Sequence, residues 1–146
     1  MKAAEAFWDS SVLIPLCVNQ GISRRCHELY RQFSTTVWWG TPVEIKSALM
    51  RLLRSGAISN ADCFQARSVA DQLAQDWDVV QPTAKITADA KSLLALYPLR
   101  AADALQLAAA LTWCEGQTSG QLFLTGDQRL AEAAKQAGFT VDLVLP

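Results

Sequence analysis

The sequence alternates short apolar runs with longer segments in which apolar residues recur at helical spacing. Short runs rich in β-branched and aromatic residues predict strands, and a recurrence every three or four residues predicts helices. Strands are predicted at residues 6–9, 35–39, 78–80, 121–125 and 140–145. Helices are predicted at residues 11–18, 23–33, 41–54, 59–76, 87–96, 99–114 and 127–137. Strands that alternate with helices indicate an α/β fold with a parallel sheet covered by helices on both faces.

The length of 146 residues favours a single domain spanning residues 1–146, and no repeat or Pro-, Gly- or Ser-rich linker divides it. No run of about 18 uncharged apolar residues is present, so no membrane-spanning helix is expected. Glu5 and Asp9 interrupt any apolar core of a signal peptide. The four cysteines form no C-x-x-C pair, so a zinc site is not predicted, and we expect reduced thiols in the cytoplasm.

Four acidic residues are predicted to lie at one edge of this sheet. Asp9 ends the first strand, and Asp127 follows the strand Leu-Phe-Leu-Thr. Glu44 lies in the first turn after the second strand, and Asp103 lies early in a Leu/Ala-rich helix. In parallel sheets, ligands bind at the carboxyl ends of the strands, where the strand order reverses. If the first strand and the strand before Asp127 are neighbours, Asp9 and Asp127 approach each other there.

Each acid also has a purely structural interpretation, because helix starts favour such residues. Asp9 and Asp127 are suitable N-caps, and Asp103 suits the first turn of a helix, where the helix dipole stabilises a negative charge. Thr41 is predicted to be an N-cap, with Glu44 completing a T-x-x-E capping box. These roles do not explain why all four acids converge on one edge.

Convergent carboxylates repel one another unless a cation neutralises them. Oxygen ligands without Cys or His indicate Mg²⁺ or Mn²⁺ in preference to zinc. Such an ion lowers the pKa of a bound water, orients it toward a phosphate and neutralises the leaving oxygen. The acids therefore predict metal-dependent phosphodiester hydrolysis without a nucleophilic Ser or Cys.

The charge distribution is uneven along the chain. Residues 1–54 contain seven Lys or Arg and four acids, whereas residues 55–146 contain six Lys or Arg and ten acids. A local basic patch can bind a phosphate backbone, although charged helix surfaces are often merely solvated. The only histidine, His27, is expected to have a structural or surface role. The predicted RNA-binding residues are Arg24, Arg25, Lys46, Arg51 and Arg54.

Four segments in order resemble the PIN domain family, and most of all the bacterial toxins of the VapC type. They are WDSSVLIPL, TPVEIKSAL, RAADALQLAAAL and FLTGDQRLAEAAKQAGF. The resemblance extends from Ala6 to about Val144. It implies a three-layer α/β/α sandwich with a central parallel five-stranded sheet, and a ribonuclease that binds metal through its acid cluster.

The resemblance also implies roles for individual residues. Asp9, Asp103 and Asp127 match principal metal ligands, and Glu44 matches a residue that binds metal or helps to activate water. Supporting hydroxyls match Ser10, Ser11 and Thr125. One position departs from the pattern, because many relatives have His where this chain has Gln106, and Gln cannot act as an acid or base. The family further implies a homodimer that is inhibited by a small cognate antitoxin covering the acid site.

Two other readings remain open. A phosphatase of the haloacid-dehalogenase type also places an acid after its first strand, but it usually needs D-x-D, and here the second position is Ser11. A non-catalytic PIN-like module that binds RNA or protein has the same fold, and the sequence alone does not show turnover.

Overall fold

The computed structural model describes residues 4–146. The strands are β1 (Ala4–Trp8), β2 (Phe33–Trp38), β3 (Asp78–Val80), β4 (Leu122–Thr125) and β5 (Thr140–Leu143). The α-helices are α1 (Ile14–Cys17), α2 (Ser23–Gln32), α3 (Thr41–Arg54), α4 (Asn60–Ala74), α5 (Ala84–Leu96), α6 (Ala101–Trp113) and α7 (Gln128–Gln136). A 3₁₀ turn, Ser10–Val12, links β1 to α1. Within the described part of the chain, no helix is long and apolar enough to cross a membrane.

The five strands form one parallel sheet in the order β3-β2-β1-β4-β5. Successive strands step outward from β1 to β3, and β4 then returns to the other side of β1. The strand order therefore reverses between β1 and β4, which is where a ligand site is expected in such a sheet. The α/β class with a parallel five-stranded sheet is confirmed.

Helices cover both faces because successive residues of a buried strand point to opposite sides. Trp8 packs in an apolar cluster with Leu29 of α2 and Ile45 of α3, and this cluster also contains Trp77. Its neighbour Phe7 packs in a second cluster, formed largely by residues of α5, α6 and α7. The two clusters give the three-layer arrangement that the sequence predicted.

Most element boundaries lie within a few residues of the predicted ones, and the exceptions concern helix starts. Thr41 is not the N-cap of α3, so this prediction was wrong. Gly40 is the N-cap, and its carbonyl already accepts hydrogen bonds from the amides of Val43 and Glu44. Helix α5 begins earlier than predicted because the side chain of Thr83 accepts a hydrogen bond from Ile86 N and caps it.

Candidate active site

Asp9 and Asp127 lie on either side of the point where the strand order reverses. Strands β1 and β4 pair through Trp8 and Leu124, so the residues that follow them emerge together at the carboxyl edge. Asp9 N extends this pairing by donating to Leu124 O at 3.0 Å. Asp127 is the N-cap of α7 and accepts from Leu130 N at 2.9 Å, so its predicted capping role is confirmed. Strands β1 and β4 are therefore neighbours, which is the condition for Asp9 and Asp127 to approach each other.

The carboxylate of Asp9 is nearly buried, with only 4% of the residue exposed, and is held by hydroxyl groups. Its Oδ2 accepts from Ser11 Oγ at 2.5 Å and from Thr125 Oγ1 at 2.9 Å. Both donors were predicted to support the acid cluster. Two charge-assisted hydrogen bonds compensate part of the cost of burying this carboxylate.

The same two hydroxyls also accept hydrogen bonds from the loop between β4 and α7. Ser11 Oγ accepts from Gly126 N at 2.8 Å, and Thr125 Oγ1 accepts from Asp127 N at 3.0 Å. Each hydroxyl therefore accepts a hydrogen bond from this loop and donates one to Asp9. The loop that carries Asp127 is thereby tied to the turn that carries Asp9.

Glu44 reaches the edge from the first turn of α3 and is held at both oxygens. Oε1 accepts from Ser10 Oγ at 3.0 Å, and Oε2 accepts from Gln106 Nε2 at 3.1 Å. The Gln106 amide also donates to Thr41 Oγ1 at 3.2 Å. Glu44 therefore does not close the predicted capping box with Thr41, because its carboxylate is bonded to side chains of other elements.

Asp103 lies in the first turn of α6 and is partly exposed. It lines a cleft of about 770 Å³ at the carboxyl edge of the sheet, together with Asp9, Glu44 and Asp127. The structure thus brings the four predicted acids to one cleft. Ser10 and Ser11 line it as well.

The acids perturb one another within this cleft. Burial raises the pKa of Glu44 to about 7, and the charge of Asp9 adds to the rise. Burial also raises the pKa of Asp103 to about 6, with the charges of Asp127 and Asp9 contributing. The pKa of Asp9 lies above its usual value because burial outweighs the hydroxyl donors of Ser11 and Thr125. Protons or a cation would relieve this repulsion.

The carboxylates converge without forming a closed cage. Among residues 4–146, no group of three or more His, Cys, Asp or Glu side chains is arranged as a ready-made metal site. The donor chemistry nevertheless suits a hard divalent cation, since the four acids offer oxygen atoms alone. Mg²⁺ usually keeps several of its waters and is held by one or two carboxylates, so an open arrangement of acids is compatible with its usual coordination.

The predicted RNA-binding residues do not all line the acid cleft. Arg51 lines the acid cleft. Arg24 and Arg25 form ion pairs with Glu28, and Arg25 Nη2 also contacts Asp142 Oδ2 at 2.9 Å. Lys46 lines a separate, more apolar cleft of about 280 Å³ between α3 and α4. Arg54, in the last turn of α3, is exposed and does not line the acid cleft.

Sequence reasoning missed three residues that the structure brings to the site. Arg100 and Arg129 line the cleft beside Asp103 and Asp127. Gln106 was noted only as a departure from a family pattern, whereas its amide holds Glu44. Proximity in sequence to a site acid was the available signal for both arginines, since Arg100 precedes Asp103 by three residues and Arg129 follows Asp127 by two.

Comparison with solved structures identifies proteins of the same fold. The chain superposes on a toxin–antitoxin complex from Klebsiella pneumoniae with a TM-score of 0.61 and 14% identity, covering 87% of this chain and 91% of that one. The chain superposes on VapBC2 from Rickettsia felis, bound to a DNA fragment from their promoter, with a TM-score of 0.62 and 10% identity. This match covers 99% of this chain and 98% of that one. For FitAcB from Neisseria gonorrhoeae the TM-score is 0.63 and the identity is 16%, with 92% of this chain and 96% of that one covered.

No protein-family model matches the sequence, and no curated protein matches it either. The similarity is therefore one of structure, at identities that establish the fold and not the activity. The architecture is PIN-like, and the resemblance to VapC-type toxins is confirmed at the level of the fold.

Proposed function

We propose that this chain is a metal-dependent endoribonuclease and the toxin of a toxin–antitoxin pair. The observation that carries the proposal is the convergence of Asp9, Glu44, Asp103 and Asp127 on one cleft, at the point where the strand order of a PIN-like sheet reverses. Toxin–antitoxin complexes with the same fold support the biological setting.

The proposed cofactor is Mg²⁺ or Mn²⁺. Asp9, Asp103 and Asp127 would hold it directly or through water, and Glu44 would assist. When bound, such an ion supplies an activated water and neutralises the charge that develops on the leaving oxygen.

The side chains of the chain itself prepare this site. Ser11 and Thr125 donate to Oδ2 of Asp9 and fix the direction of its carboxylate. Ser10 and Gln106 do the same for Glu44. The pKa of Glu44 is about 7 in the metal-free protein. A carboxyl group with a pKa near the working pH can both accept and release a proton. We propose that Glu44 holds or accepts the proton released during hydrolysis.

The proposed partners follow from the same setting. A cognate antitoxin would cover the acid cleft and place a basic side chain against the carboxylates. The chain itself would form a homodimer and act in the cytoplasm, where its RNA substrate is found.

One candidate function of another class is a non-catalytic module that binds RNA or protein. Gln106 favours this alternative, because its amide, which donates to Glu44, cannot act as an acid or base.

Purified protein incubated with structured RNAs and Mg²⁺ or Mn²⁺ tests the proposal. We expect hydrolysis that a chelator abolishes, and a decrease of about 100-fold or more in Asp9→Asn, because even residues that only orient metal ligands contribute 10- to 100-fold. Asp71→Asn is the matched control, since Asp71 is exposed on α4 outside the acid cleft. Equal hydrolysis in Asp9→Asn would indicate a contaminant. RNA binding without cleavage, with every metal tried, would favour the non-catalytic module.

A further inference from the structure

Three arginines surround the acid cleft. Arg51 comes from α3, Arg100 is the N-cap residue of α6, and Arg129 lies in the first turn of α7. All three are exposed. The acid cleft is therefore lined by guanidinium groups as well as by carboxylates.

The arginines come from both helical layers of the protein. Helix α3 packs through Ile45 and Leu49 in the cluster on one face of the sheet. Helices α6 and α7 pack through Leu107 and Leu130 in the cluster on the other face. A chain that crosses the carboxyl edge of the sheet above Asp9 would thus meet Arg51 on one side and Arg100 and Arg129 on the other.

Within residues 4–146, these arginines form no ion pair with the carboxylates of the cleft. The ion pairs seen in residues 4–146 involve Arg24, Arg25 and Lys85, and none involves an arginine of the cleft. Arg51 donates from Nη1 to Ser47 Oγ at 3.2 Å, which leaves most of its guanidinium donors for a ligand. The charge of Arg100 is close enough to Asp103 to oppose the rise in its pKa, without an ion-pair contact.

The charge balance shows which ligand suits this arrangement. Four carboxyl and three guanidinium groups around the cleft leave at most one formal negative charge, when every carboxyl group is ionised. One bound divalent cation reverses the sign. Guanidinium groups pair with phosphate oxygens through two parallel hydrogen bonds, so they suit the backbone of a nucleic acid better than a point charge does.

We infer that Arg51, Arg100 and Arg129 hold the phosphates of an RNA strand on both sides of the bond to be cleaved, across the carboxyl edge of the sheet. This inference deepens the proposed function and rests on it for the nature of the ligand. It keeps Arg51 of the path predicted from sequence and adds Arg100 and Arg129. Arg24 and Arg25 are ion-paired, and Lys46 lines another cleft.

Binding of a single-stranded oligoribonucleotide tests the inference separately from turnover. Ca²⁺ replaces Mg²⁺ in the assay, so that a divalent ion is present and the strand remains intact. The variants are Arg51→Gln, Arg100→Gln and Arg129→Gln. Arg31→Gln is the matched control, because Arg31 is an exposed arginine of α2 that does not line the cleft. Thermal unfolding followed by circular dichroism verifies that each variant folds.

Each cleft variant is expected to bind about tenfold more weakly, as for the loss of one charge-assisted hydrogen bond. The slope of log K against log salt, which is negative, should become less negative by about 0.7 for each phosphate contact that is lost. Arg31→Gln should change neither quantity. Affinities and salt slopes equal to those of the wild type in all four variants would overturn the inference. A wild-type protein that shows no salt-dependent RNA binding would also overturn it.

Hydrolysis of bis(p-nitrophenyl) phosphate in Mn²⁺ separates the two proposals. This small diester has no flanking phosphates, so its hydrolysis by the wild-type protein and by Arg31→Gln reports on the acid cluster separately from RNA binding. A wild-type protein that binds RNA through the arginines but hydrolyses neither substrate would contradict the ribonuclease function and leave the arginine inference standing. A wild-type protein that cleaves RNA, with arginine variants that cleave it equally well, would contradict the inference alone.

Discussion

The buried side chain of Gln106 donates a hydrogen bond from Nε2 to Oε2 of Glu44 at 3.1 Å, across 62 positions of sequence. The same amide donates to Thr41 Oγ1, and within residues 4–146 its Oε1 has no hydrogen-bond partner. An unpaired buried acceptor carries a free-energy cost. Gln106 therefore orients Glu44 without exchanging protons with it, because a neutral amide has no proton that titrates.

The first prediction concerns this bond. Gln106→Leu removes a donor to the charged form of Glu44, so we expect the pKa of Glu44 to rise by about one unit, the equivalent of one weak charge-assisted hydrogen bond. Carboxyl ¹³C chemical shifts followed against pH in metal-free protein measure this pKa. Gln136→Leu, at an exposed position of α7, is the matched control. A Glu44 titration that is the same in both variants would show that the amide does not stabilise the carboxylate.

The second prediction concerns stability against pH in metal-free protein. The pKa of Glu44 rises from 4.5 when unfolded to about 7, chiefly through burial. That of Asp103 rises from 3.8 to about 6, again chiefly through burial. Between these values the folded protein retains a proton that the unfolded chain releases, so the free energy of unfolding falls as the pH rises. Below the unfolded pKa both states are protonated, and their contribution is then fully present.

We therefore expect a higher Tm near pH 5 than near pH 8, measured by thermal unfolding in the presence of a chelator. The double variant Glu44→Gln/Asp103→Asn should flatten this dependence, because neither amide titrates. Added Mn²⁺ should raise the Tm at pH 8 more than at pH 5, since protons compete for the same carboxylates. A Tm that increases from pH 5 to pH 8 in metal-free wild-type protein would contradict the burial of these acids.

The third prediction concerns a residue that affects the free energy of unfolding but lies away from the acid cleft. Gly138 closes α7 with a φ of +104°, which L-residues rarely adopt, and a Cβ there would clash with Thr118 Oγ1. That hydroxyl donates to Ala137 O at 2.8 Å. Gly138→Ala should lower the free energy of unfolding by more than about 1 kcal/mol. Urea denaturation measures this change.

The proposed ribonuclease activity, measured below the unfolding transition, should be the same in Gly138→Ala as in the wild type. The residue precedes β5 at the amino edge of the sheet, opposite the acid cleft. Gly56→Ala is a useful comparison, because Gly56 also has a positive φ but no atom within 4 Å of an added Cβ. A larger loss of stability at Gly56 than at Gly138 would show that the Thr118 contact contributes nothing.

Much of the fold was predictable because its determinants are local. Short β-branched and aromatic runs marked the strands, and helical spacing marked the helices between them. The acids were recognisable for a related reason: Asp9 and Asp127 end strands, and parallel strands end at one edge. Predictions were less accurate at helix starts, where the backbone of Gly40 displaced Thr41 from the N-cap position and Thr83 capped α5 ahead of its predicted start.

By itself the sequence determined the α/β class and indicated that the four acids lie at the carboxyl edge of the sheet, since local patterns encode where strands end. Tertiary structure alone decided that Thr125 donates to Asp9 across 116 positions and that Gln106 holds Glu44. It also decided that Arg51 lines the same cleft as Arg100 and Arg129, while Arg24 and Arg25 form ion pairs elsewhere. The physical reason is that such pairings depend on strand order and on the packing of two helical layers, which bring together side chains that no local pattern relates.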